Sequence, residues 1–130
     1  MSQQHLAIVK AAYEAFNEPD IPAVLALLDD SVQWTEPGGG RAPSGTFQGP
    51  AAVAKQGFGR VPEAFDELRA DVEQFIDAGE HVIAVGRFRG KTKNGAAADM
   101  PFVHVHRVSS GKITEFHNYV EAAGWAEAWA

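Results

Sequence analysis

The sequence contains no cysteine. This absence excludes disulfide bonds, thiol nucleophiles and thiolate metal ligands. Long apolar runs are also missing, since no stretch approaches the roughly 18 residues that a membrane-spanning helix needs. The N-terminus has no basic segment followed by an apolar run, as a secretion signal would. We therefore predict a cytoplasmic protein that does not insert into a membrane.

Basic residues are in short supply, with 11 Lys and Arg against 17 Asp and Glu and a net charge of −6. The bases cluster only at Arg87, Arg89, Lys91 and Lys93, which alternate along one predicted strand. This arrangement is more typical of a solvated strand edge than of a phosphate-binding stripe. We predict no nucleic-acid partner.

The composition is otherwise that of a globular protein, with 45% apolar and 22% charged residues in a chain of 130. A chain of this length buries most of the apolar surface that its unfolded form exposes. It fits one domain, residues 1–130, with its own core.

The first half of the chain is predicted to be mainly helical. Apolar residues at helical spacing indicate helices at about residues 3–17, 20–28 and 50–62. A strand at 32–36 places Val32, Trp34 and Glu36 on one face. The segment 37–49, rich in glycine and proline, predicts a loop.

The second half alternates polar and apolar residues, which predicts four antiparallel strands after residue 65 and a short final helix at 121–130. Three helices then pack on one face of a curved antiparallel sheet. The predicted fold class is α+β, a cone-shaped sheet wrapped around three N-terminal helices, with an internal pocket where helices and sheet diverge.

The last hairpin is predicted to form one wall of this pocket. The segment Ser109-Ser110-Gly111 indicates a three-residue loop, a type I turn followed by a left-handed glycine. Counting outward from this loop pairs His106 with Thr114, His104 with Phe116 and Phe102 with Asn118. These six side chains would share one sheet face. Val103, Val105 and Tyr119 would lie on the opposite face, which is apolar enough to predict a homodimer.

Several segments resemble the nuclear transport factor 2-like superfamily, most closely its SnoaL-like polyketide cyclase and ketosteroid isomerase-like branch. They are Tyr13-Glu-Ala-Phe-Asn17 with Asp20, Val32-Gln-Trp-Thr-Glu-Pro37, Gly45, Gly49-Pro50, His104-Val-His-Arg-Val108, Gly111-Lys-Ile113 and Tyr119. The resemblance implies a cone-shaped fold that holds a small hydrophobic molecule. The superfamily contains isomerases, cyclases, epoxide hydrolases, dehydratases and non-catalytic binding domains on this one fold.

The resemblance also implies site residues. Glu36-Pro37 falls where ketosteroid isomerases carry an Asp-Pro whose aspartate is the general base, and His104 falls near their protonated, oxyanion-binding aspartate. Their oxyanion-hole tyrosine aligns with Ala12. Asn118 falls where limonene epoxide hydrolase-like members carry a catalytic aspartate. Glu121 is the nearest acid to the aspartate that SnoaL-like cyclases place at the end of that strand.

The candidate catalytic residues are Glu36, His104 and Asn118. A carboxylate beside Trp34 on an apolar face would be desolvated, which raises its pKa toward that of a useful base. Glu36 could instead turn to solvent at the strand end. His104 and Asn118 would be the polar partners that stabilise an enolate. The predicted substrate-binding residues are Tyr13, Trp34, Phe102, His106, Phe116 and Val120.

His104, His106 and Glu36 could also ligate a metal, but that face offers no third histidine, and we predict none. The leading hypothesis is a small cofactor-independent enzyme of the isomerase or cyclase type. It would abstract a proton from a hydrophobic carbonyl compound and stabilise the enolate. The alternative is a non-catalytic domain of the same fold that binds a small ligand or builds a dimer.

Overall fold

The computed structural model describes residues 2–130, and it begins with two helices, α1 at Ser2–Asn17 and α2 at Ile21–Leu25. Asp20 caps α2, because its carboxylate accepts a hydrogen bond from the backbone N–H of Ala23 at 3.2 Å. Leu28, which we predicted in the second helix, already belongs to the first strand. That helix is therefore shorter than its apolar spacing indicated.

The third helix is broken rather than continuous. It consists of α3 (Pro50–Ala52), a π-helical turn (Val53–Gly57), a 3₁₀ turn (Phe58–Arg60) and α4 (Val61–Ala64). At Gly59 an added Cβ would lie 2.7 Å from the carbonyl oxygen of Ala54, so this tight change of path needs glycine.

Six strands form a curved sheet: β1 (Leu28–Pro37), β2 (Ser44–Gln48), β3 (Phe65–Ala78), β4 (His81–Thr92), β5 (Ala97–Ser109) and β6 (Lys112–Val120). Their order is β2-β1-β6-β5-β4-β3. The α+β class and the curved, open sheet are confirmed. Two details of the prediction were wrong. The 37–49 segment contains β2, and the sheet is mixed because β1 runs parallel to β6.

Glycines and bulges bend the sheet around the helices. β3 has irregular pairing at Phe65/Glu67 and at Val72/Gln74, and Gly86 and Gly90 on β4 lie across from these points. A Cβ at either glycine would collide with the β3 backbone. The missing side chains let the strands approach closely where the bulges turn β3. The concave face so formed carries the core.

The β5–β6 hairpin has a two-residue loop, not the predicted three-residue one. Ser109 pairs with Lys112. Ser110 and Gly111 form the turn with φ of 52° and 79°. Positive φ at both positions is the pattern of a type I′ turn, whose twist matches that of the flanking strands.

The register beyond this turn also differs from the prediction. After a bulge at Arg107/Val108, His104 lies opposite Asn118 and His106 opposite Phe116. This is a shift of two residues, which preserves the sheet face because side chains alternate with period two. His104, Asn118 and Phe116 therefore share the concave face as predicted. The bulge removes Lys112 and Thr114 from it and buries Ile113 instead.

The outer face of β3, β4 and β5 carries ion pairs. Arg87 binds Asp99 at 2.6 Å, and Arg89 lies 3.4 Å from Asp71. The Asp99 carboxylate raises the pKa of Arg87, and Arg87 in turn lowers the pKa of Asp99. Because acids lie beside these bases, this outer face carries mixed charge; β4 itself is an inner strand and not the edge that the sequence indicated. Among residues 2–130 no helix has the length and apolarity to cross a membrane.

The chain ends in helix α5 (Ala122–Ala128), which closes one end of the cone. The Glu121 carboxylate caps it by accepting hydrogen bonds from the backbone N–H groups of Ala123 (2.9 Å) and Gly124 (3.0 Å). Trp125 packs on Phe88 and Trp129 on Phe65, with ring centroids 5.0 and 5.4 Å apart. These aromatic contacts fix the helix over the concave face.

Candidate functional site

A cavity lies between the helices and the concave face of the sheet. Its volume is about 70 Å³, several times the roughly 10–15 Å³ that one water needs. The lining is mostly apolar: Ala12, Tyr13, Phe16, Val24, Trp34, Glu36, Pro43, Gly57, Phe58, Val61, Leu68, Ala70, Phe88, His104, His106, Phe116, Asn118, Trp125 and Trp129. The space suits a small hydrophobic molecule.

Glu36 is the acid of this cavity. It lies near the end of β1 and is half-buried. Both carboxylate oxygens accept a hydrogen bond, one from the Trp34 indole N–H at 2.7 Å and one from the Asn118 amide N–H at 2.9 Å. The parallel β1–β6 register places Asn118 beside it. Burial raises the pKa of Glu36, and the hydrogen bonds from Asn118 and Trp34 partly oppose that rise.

His104 and Asn118 form a cross-strand pair on β5 and β6, each almost fully buried. His104 Nε2 lies 2.8 Å from Asn118 Oδ1. The amide nitrogen of Asn118 faces Glu36, so its oxygen faces the histidine. An amide oxygen only accepts, and His104 Nε2 therefore carries the proton.

Tyr13 joins the two histidines from α1. Its hydroxyl lies 2.6 Å from His104 Nδ1 and 2.8 Å from His106 Nε2. Since neutral His104 has its proton on Nε2, its Nδ1 accepts from Tyr13, and the tyrosine oxygen then accepts from His106 Nε2–H. This leaves His106 Nδ1 without a proton, and that buried atom has no hydrogen-bond partner among the described residues.

All three of these groups are uncharged near neutral pH. Burial, with a smaller contribution from His106, holds the pKa of His104 well below its usual value. Burial lowers the pKa of His106 to about 3 and raises that of Tyr13 well above 10.0. The donors therefore point along one chain, from His106 through Tyr13, His104 and Asn118 to Glu36.

This chain of hydrogen bonds changes the role that His104 can play. Its N–H is engaged by Asn118, so in this state it acts on Glu36 through the amide rather than donating to a substrate. The two histidines are bridged by Tyr13 and are not arranged around an open coordination site. Across residues 2–130 there is no group of three or more side chains placed to hold a metal ion.

Seven of the nine predicted site residues line this one cavity: Tyr13, Trp34, Glu36, His104, His106, Phe116 and Asn118. Phe102 and Val120 are not among the lining residues, and their role as substrate contacts stays a prediction. Phe102 stacks on the His104 ring at 3.9 Å, behind the cavity wall. Val120 lies opposite Phe102 at the end of β6. Glu121 is engaged as the cap of α5.

Trp125 and Trp129 are among the lining residues that the sequence reasoning missed. Both are nearly fully buried, with 4% and 5% of their surface exposed. Their spacing of four in an alanine-rich helix indicates a shared face. That pattern predicts a buried stripe and does not by itself say that the stripe borders a cavity.

The profile of the SnoaL-like domain family matches residues 9–116. The chain belongs to the SnoaL-like family. The matched region contains four of the five residues in the chain of hydrogen bonds that runs from His106 to Glu36, and only Asn118 lies beyond it. Comparison with curated proteins finds no match.

Solved structures support the same assignment. A nuclear transport factor 2-like protein of unknown function from Burkholderia pseudomallei is 30% identical to this SnoaL-like chain over 98% of both chains, with a TM-score of 0.88. TerC, co-crystallized with polyporic acid, is 23% identical over 97% of this chain and 98% of its own, with a TM-score of 0.85. A protein with a ketosteroid isomerase-like fold from Catenulispora acidiphila, in complex with trimethylamine, is 18% identical over 94% and 90%, with a TM-score of 0.77. The similarity to TerC and to the Catenulispora acidiphila protein shows the fold alone.

Proposed function

We propose that this SnoaL-like protein is a cofactor-independent enzyme of the isomerase or cyclase type, acting on a small hydrophobic carbonyl compound. Glu36 is the general base. The observation that carries this proposal is a carboxylate with a raised pKa at a mostly apolar cavity. Its two N–H donors hold it in a fixed orientation.

The reaction starts with a substrate bound against Trp34 and Phe116, whose stacked rings form an apolar wall at 3.8 Å between centroids. A Glu36 oxygen takes the proton from the carbon next to the carbonyl. The C–H electrons become the enolate double bond, and the carbonyl oxygen gains the negative charge. Return of the proton to another carbon completes an isomerisation. In a cyclisation, the enolate carbon attacks a second carbonyl, whose C=O π electrons move to its oxygen, and Glu36 then gives its proton to that alkoxide.

The charge in the cavity does not change during the first step. Glu36 loses its negative charge as the substrate acquires one. No second charge has to be accommodated in the apolar surroundings, which favours a neutral substrate.

The alternative is a binding domain that holds the same ligand without turnover. The two functions differ in what Glu36 does to bound carbonyl compounds. A base exchanges the α-hydrogens of its ligand with solvent, whereas a binding domain leaves them in place.

The test is deuterium uptake at the α-carbon of a panel of ketones and enolisable esters in D₂O. We expect exchange to rise with pH through an apparent pKa above 4.5, the ordinary value for glutamate. Glu36→Gln keeps the size and shape of the side chain and removes the base, so it should slow exchange by roughly two to four orders of magnitude.

The matched control is Glu14→Gln, an exposed glutamate on α1. It should leave exchange unchanged. Undiminished exchange in Glu36→Gln, with a compound that the parent protein exchanges, would remove Glu36 as the base. Ligand binding without exchange by any compound in the panel would favour the binding domain.

We further propose that the protein forms a homodimer through the convex face of β5 and β6. Val103, Val105, His117 and Tyr119 form an outer patch there, and Val103 and Tyr119 are 38% and 54% exposed. Apolar surface of this kind favours self-association. A cytoplasmic location stays a prediction from the sequence.

A further inference from the structure

Two buried indole N–H groups have no hydrogen-bond acceptor among the described residues. They belong to Trp125 and Trp129. Both residues line the cavity, and their ring centroids lie 4.9 Å apart. The third indole, that of Trp34, donates to Glu36 at 2.7 Å.

An indole nitrogen only donates, so an unpaired one cannot be explained by a change of tautomer. His106 Nδ1 is also buried without a partner in the described part of the chain, but it is an unprotonated acceptor, whereas the nitrogens of Trp125 and Trp129 are donors. Native proteins pair nearly all buried donors, because an unmade hydrogen bond costs free energy. Two unpaired donors in neighbouring rings of one cavity wall indicate that the acceptor comes from outside the chain.

The charge of the lining restricts what that acceptor is. Among the described residues that line the cavity, Glu36 is the only carboxylate and none is Lys or Arg. A ligand carboxylate would place a second negative charge in apolar surroundings without a cation to balance it. An uncharged oxygen avoids this cost.

We propose that the indole N–H groups of Trp125 and Trp129 bind the oxygen of an uncharged ligand, and that this oxygen is the carbonyl of a ketone or ester. The inference rests on the proposed function, since it names the substrate class and the contacts for the same cavity.

The test compares three probes of similar shape: cyclohexanone, methylenecyclohexane and cyclohexanecarboxylate. The readout is the ¹H–¹⁵N spectrum of the indole groups. The chain contains three tryptophans, which are assigned with Trp125→Phe and Trp129→Phe. Cyclohexanone should move the Trp125 and Trp129 resonances downfield, as hydrogen bonding does. Methylenecyclohexane, which fills the same space without an oxygen, should not.

Affinity provides the second measurement. The ratio of cyclohexanone to methylenecyclohexane affinity should fall roughly fivefold in each Trp→Phe variant, the usual effect of one neutral hydrogen bond. Cyclohexanecarboxylate should bind at least tenfold more weakly than cyclohexanone.

Three results would overturn the proposal. They are indole resonances that stay in place up to the solubility limit of cyclohexanone, equal shifts with methylenecyclohexane, and a carboxylate that binds as tightly as the ketone. In the first case water or the protein itself satisfies the indoles.

The same experiment in Glu36→Gln separates this inference from the proposed function. Cyclohexanone should still shift both indole resonances there, although exchange is lost. Indole shifts in a parent protein that exchanges no α-hydrogens would contradict the enzyme and leave the binding contacts standing. If α-hydrogen exchange depends on Glu36 but no ligand shifts the indole resonances, the contacts with Trp125 and Trp129 are contradicted and the proposed function is not.

Discussion

His104 and His106 are held without charge in a wall whose hydrogen bonds depend on their neutrality. Tyr13 needs an unprotonated acceptor at His104 Nδ1 and a donor at His106 Nε2. Protonation of His104 would place donors on both of its nitrogens and displace the tyrosine hydroxyl proton. The uncharged state is therefore part of the geometry around Glu36.

This neutrality has a cost at acid pH. Above about pH 6.5 both histidines are neutral, folded or unfolded, and contribute no pH dependence. Below that value the histidines are protonated in the unfolded chain but stay neutral in the folded protein, down to about pH 3 for His106. The free energy of unfolding should fall by up to about 1.4 kcal/mol per pH unit for each histidine as pH decreases.

Urea unfolding between pH 7.5 and 4.5 measures this slope. His106→Gln keeps a donor toward Tyr13 and should reduce the slope by about one proton, while His81→Gln, on an exposed residue, should not. The raised pKa of Glu36 acts in the opposite direction in every variant, so the comparison isolates the histidine. An equal slope in His106→Gln and the parent would contradict the assignment.

At the scale of elements, the β5–β6 hairpin places both the buried histidines and Asn118. Its turn has Ser110 at φ 52°, in the left-handed region that serine rarely adopts. The strands overcome this local preference because their concave face is buried along its length. The turn is thus a point where tertiary packing opposes intrinsic propensity.

Ser110→Asn should stabilise the protein by about 0.5–1 kcal/mol, since Asn-Gly is the preferred pair of a type I′ turn. Chemical denaturation measures the change. Ser109→Asn is the matched control, because Ser109 is paired within the strand and gains nothing. A neutral or destabilising Ser110→Asn would indicate that the turn is not under this constraint.

Period-two alternation was enough to place His104, Asn118 and Phe116 on one face, since a shift of two residues does not change faces. It was not enough for the register, because a bulge at Arg107/Val108 leaves no signature in residue type. β2 was missed for a related reason. Its residues lie between glycines and prolines that locally favour a loop, and only pairing with β1 makes them a strand.

The site was predictable where it depends on a single strand and not where it depends on distant contacts. Glu36 and Trp34 follow from alternation on β1. The contact of Tyr13 with both histidines joins residues about 90 positions apart in the chain, and nothing in the local sequence indicates this contact. The same limit applies to Trp125, whose neighbours belong to other elements.

At the scale of the molecule, the two faces of the sheet have different tasks. The concave face encloses the cavity. The convex face carries ion pairs on β3, β4 and β5 and, on β5 and β6, the outer patch, which borders the Arg107–Glu115 ion pair. His117 and Tyr119 stack within this patch with ring centroids 4.0 Å apart. A flat aromatic pair beside Val103 is a surface that two copies can share about a twofold axis.

Light scattering at micromolar concentration should show a dimer. Tyr119→Glu introduces a charge at the centre of the outer patch and should shift the protein to monomers. Ile76→Glu changes another exposed apolar residue, 39% exposed on β3, and should leave the dimer intact. A monomeric parent protein, or dissociation by both substitutions, would rule out this interface.

The terminal segment, residues 121–130, covers the cavity, whereas the acid of the cavity lies on strand β1. The sheet and the hydrogen-bonded chain that ends on Glu36 do not depend on α5 for their pairing. Exchange of this terminal segment between relatives, by recombination or by design, can therefore change which ligands the cavity admits and how it holds their oxygen, while Glu36 and its hydrogen-bonded partners are kept. One scaffold can in this way diversify toward many small molecules without rebuilding its reactive group.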